Sequence, residues 1–438
     1  MSLFFKNKTY LGVDIGSSSI KVVELTKNKD NVPQLVTYGY SEESTDIVKG
    51  NTPESQAKTA ALLKAVCKKA RVSSKSAMAA LPNFFVFSSI INLPASTSKK
   101  DLASAISWEA KKFIPIPIED VALDWKILSS NEKAVNIISG SGANQNQGSS
   151  ENDFSLKESL NTRPSPESPL AENSAGKELA EQKLDQDLSQ SSSEANRLDS
   201  QNTAESKFDN NQDGESLNIL LTAAPKNLVK KYLDICAAAG LRLLSLETES
   251  FALSRSLIGC NPHPVMLIDM GALVSDIIVM EKGLPVLSRS VDVGGNTITQ
   301  AIMRILNIDI NRAEQFKRDF GAPLNVMIGA ENASSNANAI GGVPRAISSV
   351  LDSLMHEIRY SLNLYQNQTK KHVEKVVLSG GSAFLPNFTD YLSGALSLPV
   401  YIGNPWDRVS YPSELKSILG SLAPSFAVPV GLAMREII

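Results

Sequence analysis

Leu11-Gly-Val-Asp-Ile-Gly-Ser-Ser-Ser-Ile-Lys-Val-Val-Glu-Leu25 is the stretch that decides the fold, because it predicts two strands joined by a tight turn. The turn holds Gly16 and three serines, so successive backbone N–H groups can bind an anion without an obstructing side chain. On the second strand, Lys21 can place its ammonium group on a phosphate. At the end of the first strand, Asp14 can hold the water shell of a Mg²⁺ ion. Taken alone, the pattern also fits an ordinary hairpin with a glycine turn.

The same pattern occurs a second time, about 255 residues further along the chain, as Met266-Leu-Ile-Asp-Met-Gly-Ala-Leu-Val-Ser-Asp-Ile-Ile-Val279. Asp269 and Gly271 stand where Asp14 and Gly16 stand in the first hairpin. The repeat predicts a duplicated architecture, in which two lobes each direct one hairpin at a phosphate chain between them.

A third stretch, Val376-Val-Leu-Ser-Gly-Gly-Ser-Ala-Phe-Leu-Pro386, predicts a buried strand that ends in a Gly-Gly turn. Glycines at this place allow a flat base or a ribose to approach the backbone. Each of the three stretches is a weak signal by itself, and their occurrence in this order is a strong one.

Composition limits the possible classes of protein. A chain of 438 residues with 42% hydrophobic and 20% charged residues predicts two to four globular domains. The net charge of −3 argues against a nucleic-acid binder. The start of the chain lacks the apolar run of a signal peptide, and the apolar stretch 265–280 is interrupted by Asp269 and Asp276. Three scattered cysteines indicate a reducing compartment, so we expect a cytosolic protein without a membrane span.

One long segment differs from the rest of the chain. Residues 141–216 contain 15 acidic and 6 basic residues and no Val, Ile, Tyr, Trp or Cys. A segment this polar cannot bury enough apolar surface to offset the entropy lost on ordering. We therefore predict a disordered, acidic insertion at 141–216, and a second, shorter loop at 321–342.

Strand and helix patterns alternate in the remaining chain, which predicts the α/β fold class. Besides the two hairpins, strands are expected at 79–93, 217–223 and 373–379. Helices are expected at 56–69, 99–113, 226–239 and 343–366, and from about residue 430 to the end.

The three stretches, in this order and over nearly the whole chain, resemble the phosphate-1, phosphate-2 and adenosine motifs of the actin, Hsp70 and sugar-kinase ATPase superfamily. This resemblance implies a two-lobed, actin-like fold (a ribonuclease H-like unit present twice) with ATP and Mg²⁺ as ligands. Val293-Gly-Gly-Asn-Thr297 and Ala313-Glu-Gln-Phe-Lys317 resemble the bacterial branch that contains FtsA and the PilM family.

The superfamily resemblance implies a set of site residues. Glu249 would stand where related ATPases position the attacking water, and Asp14 and Asp269 would hold Mg²⁺ through water. Glu314 and Lys317 would face the adenosine, although a pair three residues apart also fits an exposed helix surface. The residues expected to bind the nucleotide are Asp14, Gly16, Ser17, Ser18, Ser19, Lys21, Asp269, Gly271, Ala272, Ser275, Gly294, Gly295, Asn296, Glu314, Lys317, Gly380, Gly381 and Ser382.

The start Met-Ser-Leu-Phe-Phe-Lys and the stretch Trp108-Glu-Ala-Lys-Lys-Phe-Ile-Pro-Ile-Pro117 are similar to the PilM family of the type IV pilus inner-membrane platform. The resemblance implies a small inserted α+β subdomain at 84–239. The first lobe would span 1–83, 240–263 and a helix near 425–438, and the second lobe 264–424.

The PilM resemblance also implies a biological role and partners. The protein would be cytoplasmic and peripheral on the inner membrane through protein partners, in the machinery of twitching motility. It would bind the cytoplasmic tail of a bitopic, PilN-like membrane protein, with self-association as a further property. Trp108, with Phe113 and Ile114, would either pack in a core or border the peptide groove.

Two departures from the superfamily pattern bear on activity. Leu273 stands in the second turn where active ATPases prefer Gly or Asp, and the acidic insertion is not a usual family feature. We therefore expect nucleotide binding with slow or absent hydrolysis. Two alternatives remain open: an FtsA-like division filament, which the absence of a basic amphipathic tail at 431–438 disfavours, and a small-molecule kinase with Asp124 as general base.

Overall fold

The computed structural model describes residues 8–128, 216–322 and 342–438, except 46, 48–49, 51, 99 and 260. The predicted insertion at 141–216, apart from its last residue, lies outside the described residues. So do most of the loop predicted at 321–342 and the first six residues, which carry part of the family resemblance.

In chain order, the strands are β1 (Thr9–Ile15), β2 (Ile20–Lys27), β3 (Pro33–Ser41), β4 (Ser76–Leu81), β5 (Phe87–Pro94), β6 (Val121–Leu128), β7 (Ser216–Pro225), β8 (Arg242–Thr248), β9 (Val265–Met270), β10 (Ser275–Glu281), β11 (Leu284–Val291), β12 (Lys375–Ser379) and β13 (Val400–Ile402). The helices are α1 (Pro53–Lys69), α2 (Leu102–Ala110), α3 (Lys226–Ala238), α4 (Glu249–Leu253), α5 (Gly295–Leu306), α6 (Ile310–Phe320), α7 (Gly342–Thr369), α8 (Phe388–Leu396), α9 (Lys416–Leu422) and α10 (Ala427–Met434). A π-helical turn, Ser254–Ile258, follows α4.

Two sheets repeat the same topology. The first has the order β3-β2-β1-β4-β8 and the second the order β11-β10-β9-β12-β13. In each sheet a three-stranded antiparallel meander is followed by two parallel strands, β4 and β8 or β12 and β13. The duplication predicted from the two hairpins is therefore confirmed, and each sheet forms the centre of one lobe.

The lobes meet through an apolar seam. Met78 and Ala80 of β4 pack with Val265 and Leu267 of β9, and all four side chains are buried. Helix α10 lies on the first-lobe side of this seam and contributes Leu432. Strand β1 is the neighbour of β4 in the first sheet, and β9 is itself a seam strand, so the two strands that lead into the hairpin turns lie at or beside the seam.

A third, antiparallel sheet has the order β5-β7-β6 and is covered on one face by α2. Its strands and α2 lie within 84–239, the range predicted for an inserted subdomain. The strand predicted at 79–93 is in fact two strands in different sheets, β4 and β5. The sequence Pro82-Asn83 interrupts it, because proline removes a ladder hydrogen bond, and a short 3₁₀ helix, Asn83–Phe85, follows.

Two segments pack outside the lobe to which the sequence assigns them. Helix α3 lies in the first-lobe core, where Tyr232 and Ile235 are buried against α1 and β8, although the expected boundary at 239 joins it to the inserted subdomain. Trp406 and Leu419 pack against β2 of the first lobe, although the expected second lobe extends to 424. Both differences arise from contacts between residues far apart in sequence.

The stretch Ser413–Met434 is long and apolar enough to cross a membrane by length and composition, but 67% of it is buried inside the protein. Phe426, Val430 and Met434 belong to the core beside β2. These contacts identify the stretch as core helices, since apolar helices of a protein core pass the same test of composition.

Two glycines allow α10 to approach its neighbours closely. A Cβ atom on Gly12 of β1 would lie 2.0 Å from the carbonyl oxygen of Pro429, and one on Gly431 would lie 1.9 Å from the carbonyl oxygen of Ala252 in α4. Backbone atoms cannot move aside as a flexible side chain can, so any side chain at these positions would push α10 away.

We expect Gly431→Ala to lower the free energy of unfolding by about 3 kcal/mol, because the added methyl group overpacks the contact between α10 and α4. Urea unfolding of both proteins measures the change. The matched control is Gly420→Ala in α9, where an added Cβ meets no atom within 4 Å. An equal effect of both substitutions would contradict the assignment of close packing to Gly431.

Candidate functional site

The first hairpin turn is closed by a hydrogen bond from the Gly16 N–H to the Ser19 carbonyl oxygen at 3.0 Å. Thr45 supports the turn from behind, with its Oγ1 donating to the Gly16 carbonyl oxygen at 2.7 Å. Asp14 and Lys21 are cross-strand partners, and Lys21 Nζ lies 3.3 Å from Asp14 Oδ2. The predicted cation and the predicted carboxylate thus form an ion pair beside the turn.

The second hairpin turn has the same closure, from the Gly271 N–H to the Val274 carbonyl oxygen at 3.0 Å. Its outer carbonyl groups, those of Gly271 and Ala272, accept from the N–H groups of Gly295 and Asn296 at 3.0 and 2.9 Å. The N–H groups of Gly295 and Asn296, at the start of α5, therefore stabilise this hairpin turn and are not directed at a ligand.

Both turns present backbone N–H groups without internal partners. Within the described part of the chain, the amides of residues 17–19 in the first turn and 272–274 in the second make no backbone hydrogen bond. Successive unpartnered amides in a tight turn form a concave anion site. The two turns are thus equivalent in backbone geometry, although their sequences differ at every position after the glycine.

Both turns line a single cleft of about 760 Å³ between the lobes. Of the sequence-predicted site residues, the cleft is lined by Asp14, Gly16, Ser17, Ser18, Ser19, Lys21, Glu249, Asp269, Gly271, Ala272, Gly295, Asn296, Glu314, Lys317, Gly380, Gly381 and Ser382.

Two predicted residues lie beneath the second turn and do not line the cleft. The buried Ser275 donates from its Oγ to the Val293 carbonyl oxygen. A Cβ atom on Gly294 would lie 2.4 Å from the Ala272 carbonyl oxygen. We expected both to contact a nucleotide, and the structure gives them the role of supporting the turn.

The Gly-Gly turn closes one end of the cleft. Gly380 has a φ of 86°, which favours glycine, and a Cβ there would lie 2.4 Å from the Met270 carbonyl oxygen. A Cβ on Gly381 would meet no atom within 4 Å. Gly380 is therefore needed by the fold, whereas Gly381 borders open space in the cleft.

Glu314 and Lys317 form a network at the same end of the cleft. Lys317 Nζ donates to Glu314 Oε1 at 2.7 Å and to Thr299 Oγ1 at 2.9 Å, and Thr299 Oγ1 also contacts Glu314 Oε1. Burial alone would raise the pKa of Glu314, but the hydrogen bonds from Lys317 and Thr299 lower it below its ordinary value. The pair is thus a partly buried, charged wall of the cleft rather than an exposed surface pair.

Three carboxyl groups, those of Glu249, Asp269 and Asp276, lie close together in the cleft. Burial raises the pKa of Glu249 well above its ordinary value, and the charges of Asp276 and Asp269 raise it further. Burial and the charge of Asp276 also raise the pKa of Asp269, to about 7. Burial raises the pKa of Asp276 as well, and hydrogen bonds from Ser290 and Asn83 oppose that shift. The cleft therefore disfavours full ionisation of this group of acids.

Asp276 and Asn83 are site residues that were not predicted from the sequence. Asp276 is the cross-strand partner of Asp269, as Lys21 is of Asp14, so its spacing from Asp269 was a usable signal. Asn83 donates from Nδ2 to Asp276 Oδ2 at 3.1 Å. No motif pointed to Asn83, because its contact joins residues far apart in sequence.

The residues fit a Mg²⁺ ion held through water. Among the described residues, no group of three or more His, Cys, Asp or Glu side chains is arranged to hold a metal directly. Mg²⁺ commonly binds one or two carboxylates and keeps several waters. The buried Tyr232 hydroxyl has no hydrogen-bond partner in the described part of the chain, and the charges of Glu249 and Asp14 act on its pKa, so it can donate to water there.

Six carboxylate and three cationic side chains line the cleft, an excess that disfavours a bare polyanion.

Two other candidate residues lie outside the cleft. Trp108 is 65% exposed and Phe113 is 49% exposed, whereas Ile114 is buried. Core packing is therefore wrong for the first two, and their surface is available to a partner. Asp124 lies on β6, where it pairs with Thr222 of β7, and it is not among the residues lining the cleft.

Comparison with known families decides the identity of this fold. The sequence model of the family described as Type IV pilus assembly protein PilM matches residues 12–139 and 197–437. The chain belongs to the PilM family. The match leaves out residues 140–196, which include most of the predicted acidic insertion at 141–216, and it includes the end of that segment, residues 197–216.

One solved structure supports this fold, and two others align more weakly. The chain is similar to the PilM-PilN type IV pilus biogenesis complex, with a TM-score of 0.68 and 23% identity over 98% of both chains. It also aligns with ethanolamine utilization protein EutJ from Carboxydothermus hydrogenoformans (TM-score 0.48, 14% identity, 98% of this chain and 90% of that one). A third match is MreB5 of Spiroplasma citri bound to AMPPNP (TM-score 0.42, 11% identity, 97% and 94%). The predicted two-lobed, actin-like α/β fold of a PilM protein is confirmed.

The raised pKa of Asp269 predicts a pH-dependent cost to stability. The pKa of Asp269 is about 7 in the folded protein, above the ordinary 3.8. Because folding favours the protonated form, the contribution of Asp269 to the free energy of unfolding is fully present below about pH 4 and is lost as the pH rises through 7. We expect Asp269→Asn to raise the free energy of unfolding by on the order of 2 kcal/mol at pH 8, and by less as the pH falls toward 4.

Urea unfolding at several pH values measures this difference. The control is Asp30→Asn, which removes an exposed carboxylate in the turn between β2 and β3. A difference between Asp269→Asn and the wild-type protein that is constant with pH would contradict a cost caused by ionisation of Asp269.

Proposed function

We propose that this protein is an actin-like, ATP-binding scaffold of the type IV pilus inner-membrane platform, and that it captures the cytoplasmic tail of a PilN-like membrane protein. The observation that carries the nucleotide part is the single cleft shared by the turns at Gly16 and Gly271 and the Gly-Gly turn at Gly380. Such an arrangement suits a nucleoside triphosphate, because anion sites lie on both lobes and space for a base lies at one end.

In this proposal, the phosphates lie between the two hairpin turns and the base lies near Gly381, Glu314 and Lys317. A Mg²⁺ ion would supply the positive charge that offsets the acidic cleft, with its waters held by Asp14 and Asp269. Lys21 would add a point charge beside the first turn, where it is already held by Asp14 at 3.3 Å.

Slow or absent hydrolysis is part of the proposal. A general base must be ionised to accept a proton from water. Burial and neighbouring carboxylates favour the protonated form of Glu249, which stands at the expected position of such a base. Leu273 also lines the cleft in the turn where active relatives prefer Gly or Asp. Both features favour a binding role over rapid turnover.

The inserted subdomain is the proposed docking site for the membrane partner. The apolar surface formed by the aromatic Trp108 and Phe113 and the aliphatic Ile116 is exposed on and just after α2. Lys112 Nζ lies 4.1 Å from the Trp108 ring centroid, so a basic group borders this surface. Exposed aromatic side chains beside a charge are frequent anchors of peptide recognition. The PilM-PilN complex among the similar structures supports a partner of this class.

The proposed domains follow the packing. The first lobe comprises 8–83, 226–258 and 405–438, the inserted subdomain 87–128 and 216–225, and the second lobe 265–402. Through the tail of its partner, the protein would be held at the cytoplasmic face of the inner membrane. A small-molecule kinase loses its proposed general base, because Asp124 does not line the cleft.

Gly381→Leu tests nucleotide binding. Because a side chain there would enter the cleft without meeting the protein, we expect a folded protein whose affinity for ATP falls by about tenfold or more. Titration calorimetry with ATP and Mg²⁺ measures this. Gly394→Leu in α8 is the control, since a Cβ there also meets no atom within 4 Å and the residue lies outside the cleft. Unchanged affinity in Gly381→Leu would remove the cleft as the ATP site.

Trp108→Ala tests partner docking. We expect the affinity for the cytoplasmic tail of a PilN-like protein to fall by about thirtyfold, on the scale of one aromatic anchor. Fluorescence anisotropy with a labelled tail peptide measures it, and Tyr401→Ala on β13 of the second lobe, 55% exposed, is the control. Equal loss in both variants, or none in Trp108→Ala, would contradict docking on this surface. Repeating the titration with ATP measures coupling of the two sites, and equal affinities would exclude it.

A further inference from the structure

Asn83 links the two lobes beside the cleft, between the cleft-lining residues Pro82 and Phe84. It begins the 3₁₀ helix after β4 in the first lobe and is 8% exposed. Its Nδ2 donates to Oδ2 of Asp276, on β10 of the second lobe, at 3.1 Å. The other oxygen of Asp276 accepts from Ser290 Oγ on β11. Asp276 is thus held between Ser290 of its own lobe and Asn83 of the opposite lobe, and the side chain of Glu249 is hydrogen-bonded to it as well.

The carbonyl oxygen of the Asn83 side chain contacts the start of α4. Asn83 Oδ1 accepts from the Ser250 N–H at 3.2 Å and from Ser250 Oγ at 2.9 Å. The Asn83 backbone N–H donates to Glu249 Oε2 at 3.3 Å. Asn83 therefore contacts both residues at the start of α4 as well as the acid across the cleft.

The contacts of Asn83 require a primary amide of this length. One side of the group must accept from Ser250, and the other must donate to the carboxylate of Asp276. An ionised Asp offers acceptors only, and an apolar side chain offers neither. A buried donor facing a carboxylate forms a charge-assisted hydrogen bond, which is stronger than one between neutral groups.

The geometry of this bond ties it to one arrangement of the lobes. Its two atoms belong to elements of different lobes, so a separation of about 1 Å beyond hydrogen-bond distance would break it. Such a contact stabilises the closed arrangement relative to an open one. A ligand held between the two hairpin turns must leave through opening, so this bond slows its release without touching it.

We propose that Asn83 is a positioning residue that holds the lobes closed around the cleft by binding Asp276 against the start of α4. This inference rests on the proposed nucleotide function for its effect on ligand release, but not for its effect on lobe closure. Asn83 acts through Asp276 and Glu249 and contacts no ligand itself.

Three variants test the proposal. Asn83→Asp keeps the shape and the acceptor for Ser250 but turns a carboxylate toward Asp276. Asn83→Asp combined with Asp276→Asn restores a donor–acceptor pair with its direction reversed and leaves the number of carboxylates unchanged. Asn92→Asp on β5 is the control, because it adds the same charge at an exposed position of the inserted subdomain.

Two measurements separate the outcomes. The distance between the lobes is measured by pulsed electron resonance, with spin labels on unnatural amino acids at the exposed positions Lys64 on α1 and Arg304 on α5, leaving the native cysteines in place. The release of a fluorescent ATP analogue is measured by stopped flow. We expect Asn83→Asp to broaden the distance distribution toward larger values and to speed release about tenfold. The double variant should reverse both changes, and Asn92→Asp should cause neither.

An unchanged distance distribution in Asn83→Asp would overturn the proposal. Equal effects of the single and the double variant would also overturn it, because a general loss of packing is not rescued by a reversed hydrogen bond. If the wild-type protein binds no nucleotide, the proposed function fails, and the distance measurement still decides the role of Asn83.

Discussion

The apolar seam between the lobes is the contact on which the rest of the structure depends. Met78 and Ala80 of one sheet belong to the same apolar cluster as Val265 and Leu267 of the other, together with residues of α4 and α10, and these four side chains are completely or almost completely buried. Strand β1 adjoins the seam strand β4, β9 is itself part of the seam, and the hairpin turns that follow β1 and β9 line one cleft. Polar groups at the cleft could not by themselves hold this arrangement, since several are acids whose ionisation is disfavoured there. Burial at the seam supplies the stability that the cleft lacks.

The sequence was sufficient for features that depend on local order. Asp14 and Gly16 lie within one hairpin, and a short run of small residues between two apolar strands rarely forms anything other than a tight turn. The same is true of Asp269 and Gly271, so the duplication and the two hairpin turns that line the cleft followed from spacing alone. The family resemblance supplied Glu314 and Lys317, which hairpin spacing could not give.

Features that depend on packing between distant segments were not predictable. Helix α3 has an amphipathic pattern that fits either the inserted subdomain or the first lobe, and only contacts with α1 and β8 decide between them. The exposure of Trp108 was equally undetermined, because an aromatic residue on an amphipathic helix is more often buried. Ser275 and Gly294 have the composition of ligand-binding residues, yet their contacts lie beneath the turn. Asn83 carried no local signal at all.

The two hairpins, alike in backbone, differ in sign at equivalent positions. Opposite the aspartate that ends the first strand of each hairpin stands Lys21 in one lobe and Asp276 in the other. The charges in the cleft are therefore distributed asymmetrically, although the backbones of the two hairpins are nearly symmetric. An elongated anion would meet an ammonium group at one of its ends and carboxylates at the other, so its two possible directions of insertion differ in energy. One pair of equivalent positions, Lys21 and Asp276, thus makes the two ends of a nearly symmetric cleft chemically different.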